Sequence, residues 1–274
     1  MQVIYHPQNR AAEYGLLAVN LYGGSCEGQC LYCYCPDVAH LTREQWLLTA
    51  PHPRKDIIKL LKKEAPKHYG TNKRCHLTFL NDAYQSLEKE FQITRQALII
   101  LKENKIPFQI LTKGGVLAER DFDLYGPEDM FGVTLTCSTD NGSKRFEPGA
   151  SPTSERINSL VKARKRGIAT WVSLEPVLLA ASSLELIRMT HKFVNHYKIG
   201  VLNHIHVGCP ADGYGPDDWR QFGISAIELC EKFGVSYFVK KDLADNLDGV
   251  KWTQTDTRIL NREPLKQTKK ELFV

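Results

Sequence analysis

Three cysteines stand within eight residues near the start of the chain, where Cys26, Cys30 and Cys33 form a C-x₃-C-x₂-C run. Cysteine thiolates are soft ligands that suit iron–sulfur clusters and zinc. A structural zinc ion needs four ligands, and no second close Cys/His couple follows here. Three thiolates on one loop instead leave a [4Fe–4S] cluster with one iron that the protein does not bind. The spacing therefore predicts a cluster with one position open to a small molecule.

Two alternatives exist for these cysteines. A zinc site can recruit Cys35 or His40, although a C-x-C couple beside C-x₂-C suits a single tetrahedral ion poorly. The thiols can also cluster by chance. The spacing favours the iron–sulfur interpretation over both.

Length and composition bound the class of protein. The chain has 274 residues, of which 42% are hydrophobic and 24% charged, as expected of a globular protein with one large core. Residues 1–14 are polar and do not resemble a signal segment, and no apolar run reaches transmembrane length. We therefore expect a cytoplasmic protein with no membrane partner and with free or metal-bound cysteines. A net charge of +5 suits nucleic acid or an anionic substrate but demonstrates neither.

Short apolar runs alternate with amphipathic stretches, a pattern that predicts βα units around a parallel sheet. The expected strands are residues 16–22, 76–81, 108–113, 132–138, 168–175 and 204–209, with 236–241 as a candidate seventh. The expected helices are residues 54–64, 94–102, 154–165, 184–196 and 217–232. Residues 254–274 are polar and rich in lysine, and we expect them to form a C-terminal tail.

The cysteine run, with Tyr32 directly before its third cysteine, resembles the hallmark of the radical S-adenosylmethionine (SAM) superfamily. The resemblance implies that the three cysteines bind a [4Fe–4S] cluster whose open iron binds SAM. One electron, from a reductant such as flavodoxin or ferredoxin, then cleaves SAM to methionine and a 5′-deoxyadenosyl radical that abstracts hydrogen from a substrate. Six strands after a cysteine loop also match the α/β fold of this superfamily, a partial (β/α)₆ TIM-like barrel, which we assign to residues 1–253.

Further segments resemble the branch that contains spore photoproduct lyase and its shorter relatives. They are NLYG at residues 20–23, YCY at 32–34, NDAYQ at 81–85, LTK at 111–113, TCST at 136–139 and FEPG at 146–149, followed by Arg156-Ile157. The resemblance covers roughly residues 15–180 and is specific as a set. The last third of the chain departs from the lyase.

Position by position, this resemblance implies a SAM site. Tyr32 would meet the adenine, and Asn81 and Asp82 stand where the family has its strand-two contacts. Lys113 would pair with the methionine carboxylate, because an ammonium binds a carboxylate as a point charge. Thr136 matches a hydroxyl position near the sulfonium or the ribose. The Gly-Gly-Glu run that is usual after strand two is absent.

The candidate catalytic residues lie at other strand ends. In spore photoproduct lyase, a strand-two cysteine returns a hydrogen atom to the substrate radical, and the matching residue here is Phe79. Cys137 and Cys209 are candidate replacements, with a buried structural thiol as the alternative for each. Glu175 is a candidate acceptor for a ligand hydroxyl pair or an N–H edge, with a salt bridge to a barrel lysine or arginine as the alternative.

These residues predict a radical SAM enzyme that acts on a small free substrate. The specific hypothesis is a lyase for a modified nucleobase such as queuine, a 7-deazaguanine whose guanine edge and diol need acidic partners. Asp82, Asp140 and Glu175 are the available carboxylates. A second hypothesis is DNA repair or modification of the spore photoproduct lyase type. A third, of another class, is a non-catalytic iron–sulfur or zinc protein.

Overall fold

A computed structural model describes residues 2–203 and 207–260. In this part of the chain, seven strands form one wholly parallel sheet in sequence order. They are β1 (Leu17–Val19), β2 (Cys75–Leu77), β3 (Phe108–Thr112), β4 (Met130–Thr134), β5 (Ala169–Leu174), β6 (His196–Ile199) and β7 (Ser236–Val239). Strands β1 and β7 are the two edges, so the α/β barrel is partial, as predicted. Tyr22–Gly23 and His52–Pro53 form a separate antiparallel pair.

Helices connect the parallel strands, because such strands need a crossover that returns the chain to the same end of the sheet. The α-helices are α1 (Cys35–Val38), α2 (Arg43–Leu48), α3 (Ile57–Glu64), α4 (Ile93–Glu103), α5 (Asp140–Phe146), α6 (Thr153–Lys165), α7 (Ala180–Thr190), α8 (Pro216–Phe233) and α9 (Lys241–Ala244). The 3₁₀ helices are Asn9–Glu13, Ala65–His68, Ser86–Lys89, Gly115–Leu124 and Pro210–Gly213. Within the described ranges, no helix has the length and apolarity to cross a bilayer.

Six predicted strands and all five predicted helices are present, with shifted ends. The predicted sixth strand is wrong. Residues 207–209 form no strand, residues 204–206 lie outside the described part, and the sixth strand is instead His196–Ile199. The search for apolar runs did not predict this strand, because two of its buried side chains, His196 and Lys198, are polar.

The segment before β1 contacts both edges of the sheet. Tyr5 forms an antiparallel bridge with Ala18 of β1. Beyond β7, the backbone N–H of Lys241 donates to the Glu13 carboxylate at 2.7 Å. The segment therefore connects the two edges of the partial barrel and brings Tyr14 to its interior.

Residues 254–260 continue along the sheet. The backbone N–H of Thr255 donates to the Tyr237 carbonyl at 2.9 Å, and Ile259 forms an antiparallel bridge with Lys73. The rest of the predicted tail, residues 261–274, lies outside the described residues. The division of the chain at residue 253 stays a prediction.

Candidate active site

A cavity of about 490 Å³ opens where the strands end. Its wall is built from the cysteine loop, the segments that follow β2, β3 and β5, residues 201–203 after β6, and Lys240 after β7. The carboxyl ends of parallel barrel strands are where catalytic side chains gather. All three motif cysteines line this cavity, so the cysteine loop and the ends of the barrel strands form one site.

The cysteine loop is held by contacts to its backbone. The Arg43 guanidinium of α2 donates to the carbonyls of Gln29 at 3.0 Å, Cys30 at 2.9 Å and Leu31 at 3.3 Å. On the other side, a Cβ at Gly149 would lie 1.9 Å from the carbonyl oxygen of Glu27, so only glycine permits this close approach. The thiols are therefore positioned by the fold as well as by the motif.

The donor set fits a cluster. Burial is the main cause that raises the pKa of Cys26 to about 12 and that of Cys30 to about 11. A hydrogen bond with Cys35 is the main cause that lowers the pKa of Cys33 to about 6. The thiolate is the metal-binding form, so iron binding at Cys26 and Cys30 releases protons.

The described residues also distinguish the two metal interpretations. Within residues 2–203 and 207–260, no three His, Cys, Asp or Glu side chains converge on one metal-ion position. A mononuclear zinc site requires such convergence. In a [4Fe–4S] cluster each thiolate binds a different iron, so three cysteines spread along one loop fit the cluster.

Asn81 and Asp82 line the cavity and organise its backbone. The Asn81 amide donates to the Gly24 carbonyl at 2.8 Å, which ties the segment after β2 to the cysteine loop. The Asp82 carboxylate accepts the backbone N–H groups of Lys113 at 2.6 Å and Tyr84 at 2.8 Å. It also accepts the hydroxyl of Thr112. These three donors make Asp82 the link between the ends of β2 and β3.

Lys113 follows β3 and is a cation in the cavity wall. Burial alone would lower its pKa, but the charges of Cys30 and Glu147 leave the pKa raised. Its ammonium lies 5.6 Å from the ring centroid of Tyr32. A partly buried ammonium beside the cysteine loop suits an anionic ligand group, and the contact of Lys113 with the SAM carboxylate stays a prediction.

Replacing Lys113 with alanine is expected to weaken SAM binding about tenfold or more, because a hydrogen bond to a charged group contributes roughly 1.5–3 kcal/mol. The measurement is anaerobic equilibrium titration of the reconstituted protein with SAM. The control is Lys105→Ala, since Lys105 also lies over a tyrosine ring, at 5.3 Å, but outside the cavity wall. Unchanged SAM affinity in Lys113→Ala would remove Lys113 from the SAM site.

A buried ion pair lies behind the cysteine loop. Arg156 Nη2 is 2.5 Å from Glu147 Oε2, and both side chains are fully buried. The Tyr32 hydroxyl donates to the same carboxylate, and the Thr136 hydroxyl donates to its Oε1 at 3.1 Å. Tyr32 also lines the cavity, whereas Thr136 is not among the lining residues. The network thus couples the cysteine loop to the end of β4, and the SAM contact of Thr136 stays a prediction.

Glu175 directly follows β5 and lines the same cavity. Lys240 Nζ lies 2.7 Å from each of its carboxylate oxygens, so the predicted alternative, an ion pair with a barrel lysine, is present. The Tyr14 hydroxyl also donates to Glu175 and lies 2.8 Å from the Ser173 hydroxyl. All four residues line the cavity, so Glu175 is both ion-paired and part of the cavity lining. Sequence analysis missed Tyr14, because no local pattern marks a tyrosine before the first strand.

Aromatic side chains line the wall beside Glu175. His76 stacks on Phe79 with ring centroids 4.3 Å apart, and Tyr14 approaches both rings. Burial is the main cause that lowers the pKa of His76 to about 3, so this imidazole is neutral. Phe79 is partly exposed to the cavity and offers a flat apolar face to a planar ligand.

The remaining predicted residues lie elsewhere. Cys137 and Cys209 are buried and are not among the residues that line the cavity, whereas Cys35 does line it. Asp140 begins α5 and accepts the backbone N–H and the hydroxyl of Ser154, in the first turn of α6, at 2.8 and 2.7 Å. The catalytic roles of the two thiols stay predictions, and Asp140 has a structural partner of its own.

A partial parallel barrel with a three-cysteine loop at its strand ends defines a radical SAM enzyme. The family model described as the Radical SAM superfamily matches residues 20–194, which begin directly after β1 and end just before β6. The chain therefore belongs to the radical SAM superfamily, whose members use a [4Fe–4S] cluster and SAM.

The chain is also similar to one curated protein and to several solved structures. An uncharacterised protein of Methanocaldococcus jannaschii is 26% identical over 188 residues, or 68% of this chain and 70% of that protein. A cysteine-to-serine mutant of spore photoproduct lyase has a TM-score of 0.67 at 12% identity, covering 88% of this chain and 79% of its own. SuiB of Streptococcus suis, bound to SAM, has a TM-score of 0.61 at 12% identity, covering 86% and 53%. At these identities, the two structures show a shared fold.

Proposed function

We propose that this protein is a radical lyase that acts on a modified nucleobase, with queuine as the specific candidate. The observation that carries the proposal is the joining of two walls in one cavity. The first wall is the cysteine loop with Lys113. The second wall is Glu175 with Phe79, and it adjoins the first, because the Phe79 carbonyl accepts the Tyr34 hydroxyl at 2.7 Å. When bound, the cluster and SAM supply a 5′-deoxyadenosyl radical that abstracts hydrogen from the substrate.

The residues of the second wall suit a small planar heterocycle. A base can stack on Phe79, whose ring also stacks on His76. The Glu175 carboxylate can accept a hydrogen bond from a ring N–H or a hydroxyl. These features favour a free base or nucleoside as the substrate. The proposed partner protein is a reductant such as flavodoxin or ferredoxin.

The alternative is DNA repair of the spore photoproduct lyase type. It is supported by the likeness to a mutant of that lyase in complex with dinucleoside spore photoproduct, with a TM-score of 0.63 at 13% identity. Against it stands Phe79, which occupies the position where the resemblance leads us to expect the hydrogen-donating cysteine. We therefore rank the nucleobase lyase first.

The experiment that separates the two is anaerobic incubation of the reconstituted, reduced protein with SAM and a panel of candidate substrates, followed by mass spectrometry. The panel contains queuine, other deazapurine bases and nucleosides, and dinucleoside spore photoproduct. Base-dependent 5′-deoxyadenosine together with a cleaved base supports the proposal. Repair of the dinucleoside supports the alternative, and SAM cleavage that no base stimulates contradicts the nucleobase lyase.

Replacing Glu175 with glutamine is expected to lower turnover of the substrate found in that panel by about tenfold or more, since a hydrogen bond to a charged group contributes roughly 1.5–3 kcal/mol. Cleavage of SAM without substrate is expected to continue, because the cysteine loop is untouched. The control is Glu185→Gln, which removes a carboxylate from an exposed ion pair with Arg188. Normal turnover in Glu175→Gln would return Glu175 to a purely structural role.

A further inference from the structure

The Glu175 carboxylate has few acceptor positions left for a substrate. An ionised carboxylate offers about four lone-pair positions, two on each oxygen. Lys240 occupies one position on each oxygen, at 2.7 Å in both cases. The Tyr14 hydroxyl occupies the second position on Oε2. Among the described contacts, one position therefore remains, and it is on Oε1.

The Tyr14 hydroxyl is held in its donating role by its own partner. Because its proton goes to Glu175, its oxygen must accept the proton of the Ser173 hydroxyl, which lies 2.8 Å away. Only 9% of Tyr14 is exposed, and its backbone carbonyl accepts the Lys198 ammonium at 3.2 Å. The tyrosine is thus fixed from both its side chain and its backbone.

The carboxylate itself has little room to move. A Cβ at Gly200 would lie 2.9 Å from Glu175 Cδ and 3.1 Å from Lys240 Cδ, so the ion pair packs directly on this part of the backbone. The Lys240 ammonium also compensates the charge of Glu175. The remaining position therefore suits a single neutral N–H or O–H donor.

We infer that Tyr14 determines the substrate specificity of this site by restricting Glu175 to one hydrogen-bond donor from the ligand. The inference deepens the proposed function and rests on it. A guanine-type edge presents two adjacent donors, a ring N–H and an exocyclic amino group. The site accepts the ring N–H, and the amino group makes no hydrogen bond with Glu175. The substrate class is thus a planar heterocycle recognised here through one neutral donor.

The test compares two probes that differ only in the exocyclic amino group, 7-deazaguanine and 7-deazahypoxanthine. Their dissociation constants are measured by anaerobic calorimetry on the reconstituted protein with SAM bound and the cluster unreduced. For the wild type, we expect affinities within about threefold, less than a hydrogen bond to a charged group contributes. For Tyr14→Phe, the second position on Oε2 is free, and the preference for 7-deazaguanine should rise about tenfold.

The matched control is Tyr237→Phe, which removes a hydroxyl that donates to Glu231 at 2.9 Å outside the cavity, and which should leave the affinity ratio unchanged. A wild-type preference of tenfold or more for 7-deazaguanine overturns the inference and leaves the nucleobase proposal standing. An unchanged ratio in a folded, cluster-loaded Tyr14→Phe also overturns it. If Tyr14→Phe does not fold, the wild-type ratio decides. If neither base binds the wild type, the proposed function fails and the inference fails with it.

Discussion

Replacing Cys30 with alanine is expected to abolish both the cluster and SAM cleavage. Cys30 is one of the three motif thiols that line the cavity, so the alanine variant leaves one iron of the cluster without its thiolate ligand. The two remaining motif cysteines, Cys26 and Cys33, can bind only two irons, whereas the complete motif binds three. The measurements are visible absorbance, iron and sulfide content, and 5′-deoxyadenosine formation, all under anaerobic conditions.

The control for this experiment is Cys230→Ala. Cys230 is a buried thiol on α8 outside the cavity wall, so its loss should leave cluster content and SAM cleavage close to those of the wild type. Cluster-dependent SAM cleavage that persists in Cys30→Ala would show that the cluster assignment is wrong. Loss of the cluster in both variants would mean that reconstitution is sensitive to any change in the core.

Replacing Arg156 with methionine is expected to destabilise the protein by about 3–5 kcal/mol, because it leaves a buried charge without its partner. Burial alone would raise the pKa of Glu147, but Arg156 is the main cause that leaves it lowered, so the carboxylate is charged in the folded protein. Methionine fills similar volume without supplying a donor. The free energy of unfolding is measured by anaerobic denaturant titration of the reconstituted protein.

The surface variant Arg188→Met is the control for that measurement. Arg188 pairs with Glu185 at 3.4 Å, and about half of each side chain is exposed. Exposed pairs contribute only about 0–1 kcal/mol, so this variant should unfold close to the wild type. A loss of less than 1 kcal/mol in Arg156→Met would contradict the importance of the buried pair. The double variant Arg156→Met with Glu147→Gln should recover part of the lost stability, since it removes the unpaired charge.

The sequence by itself determined the features that depend on near neighbours in the chain. The C-x₃-C-x₂-C spacing is local, and it predicts the cluster because three thiolates within eight residues must share one loop. Apolar periodicity predicts most strands and helices for the same reason. The parallel α/β barrel follows from their alternation, since parallel strands need helical crossovers.

The tertiary structure alone decided which polar groups are buried and what they contact. Strand β6 was missed because burying Lys198 requires carbonyl partners from the N-terminal segment, 184 and 185 residues away. The pairing of Glu175 with Lys240 and Tyr14 likewise joins residues 65 and 161 positions apart. A polar side chain can be buried only where a partner compensates its lost hydration, and that partner comes from wherever the fold brings the chain together. For this reason the sequence predicts the cluster loop, whereas the contacts of Glu175 with Lys240 and Tyr14 are seen only in the structure.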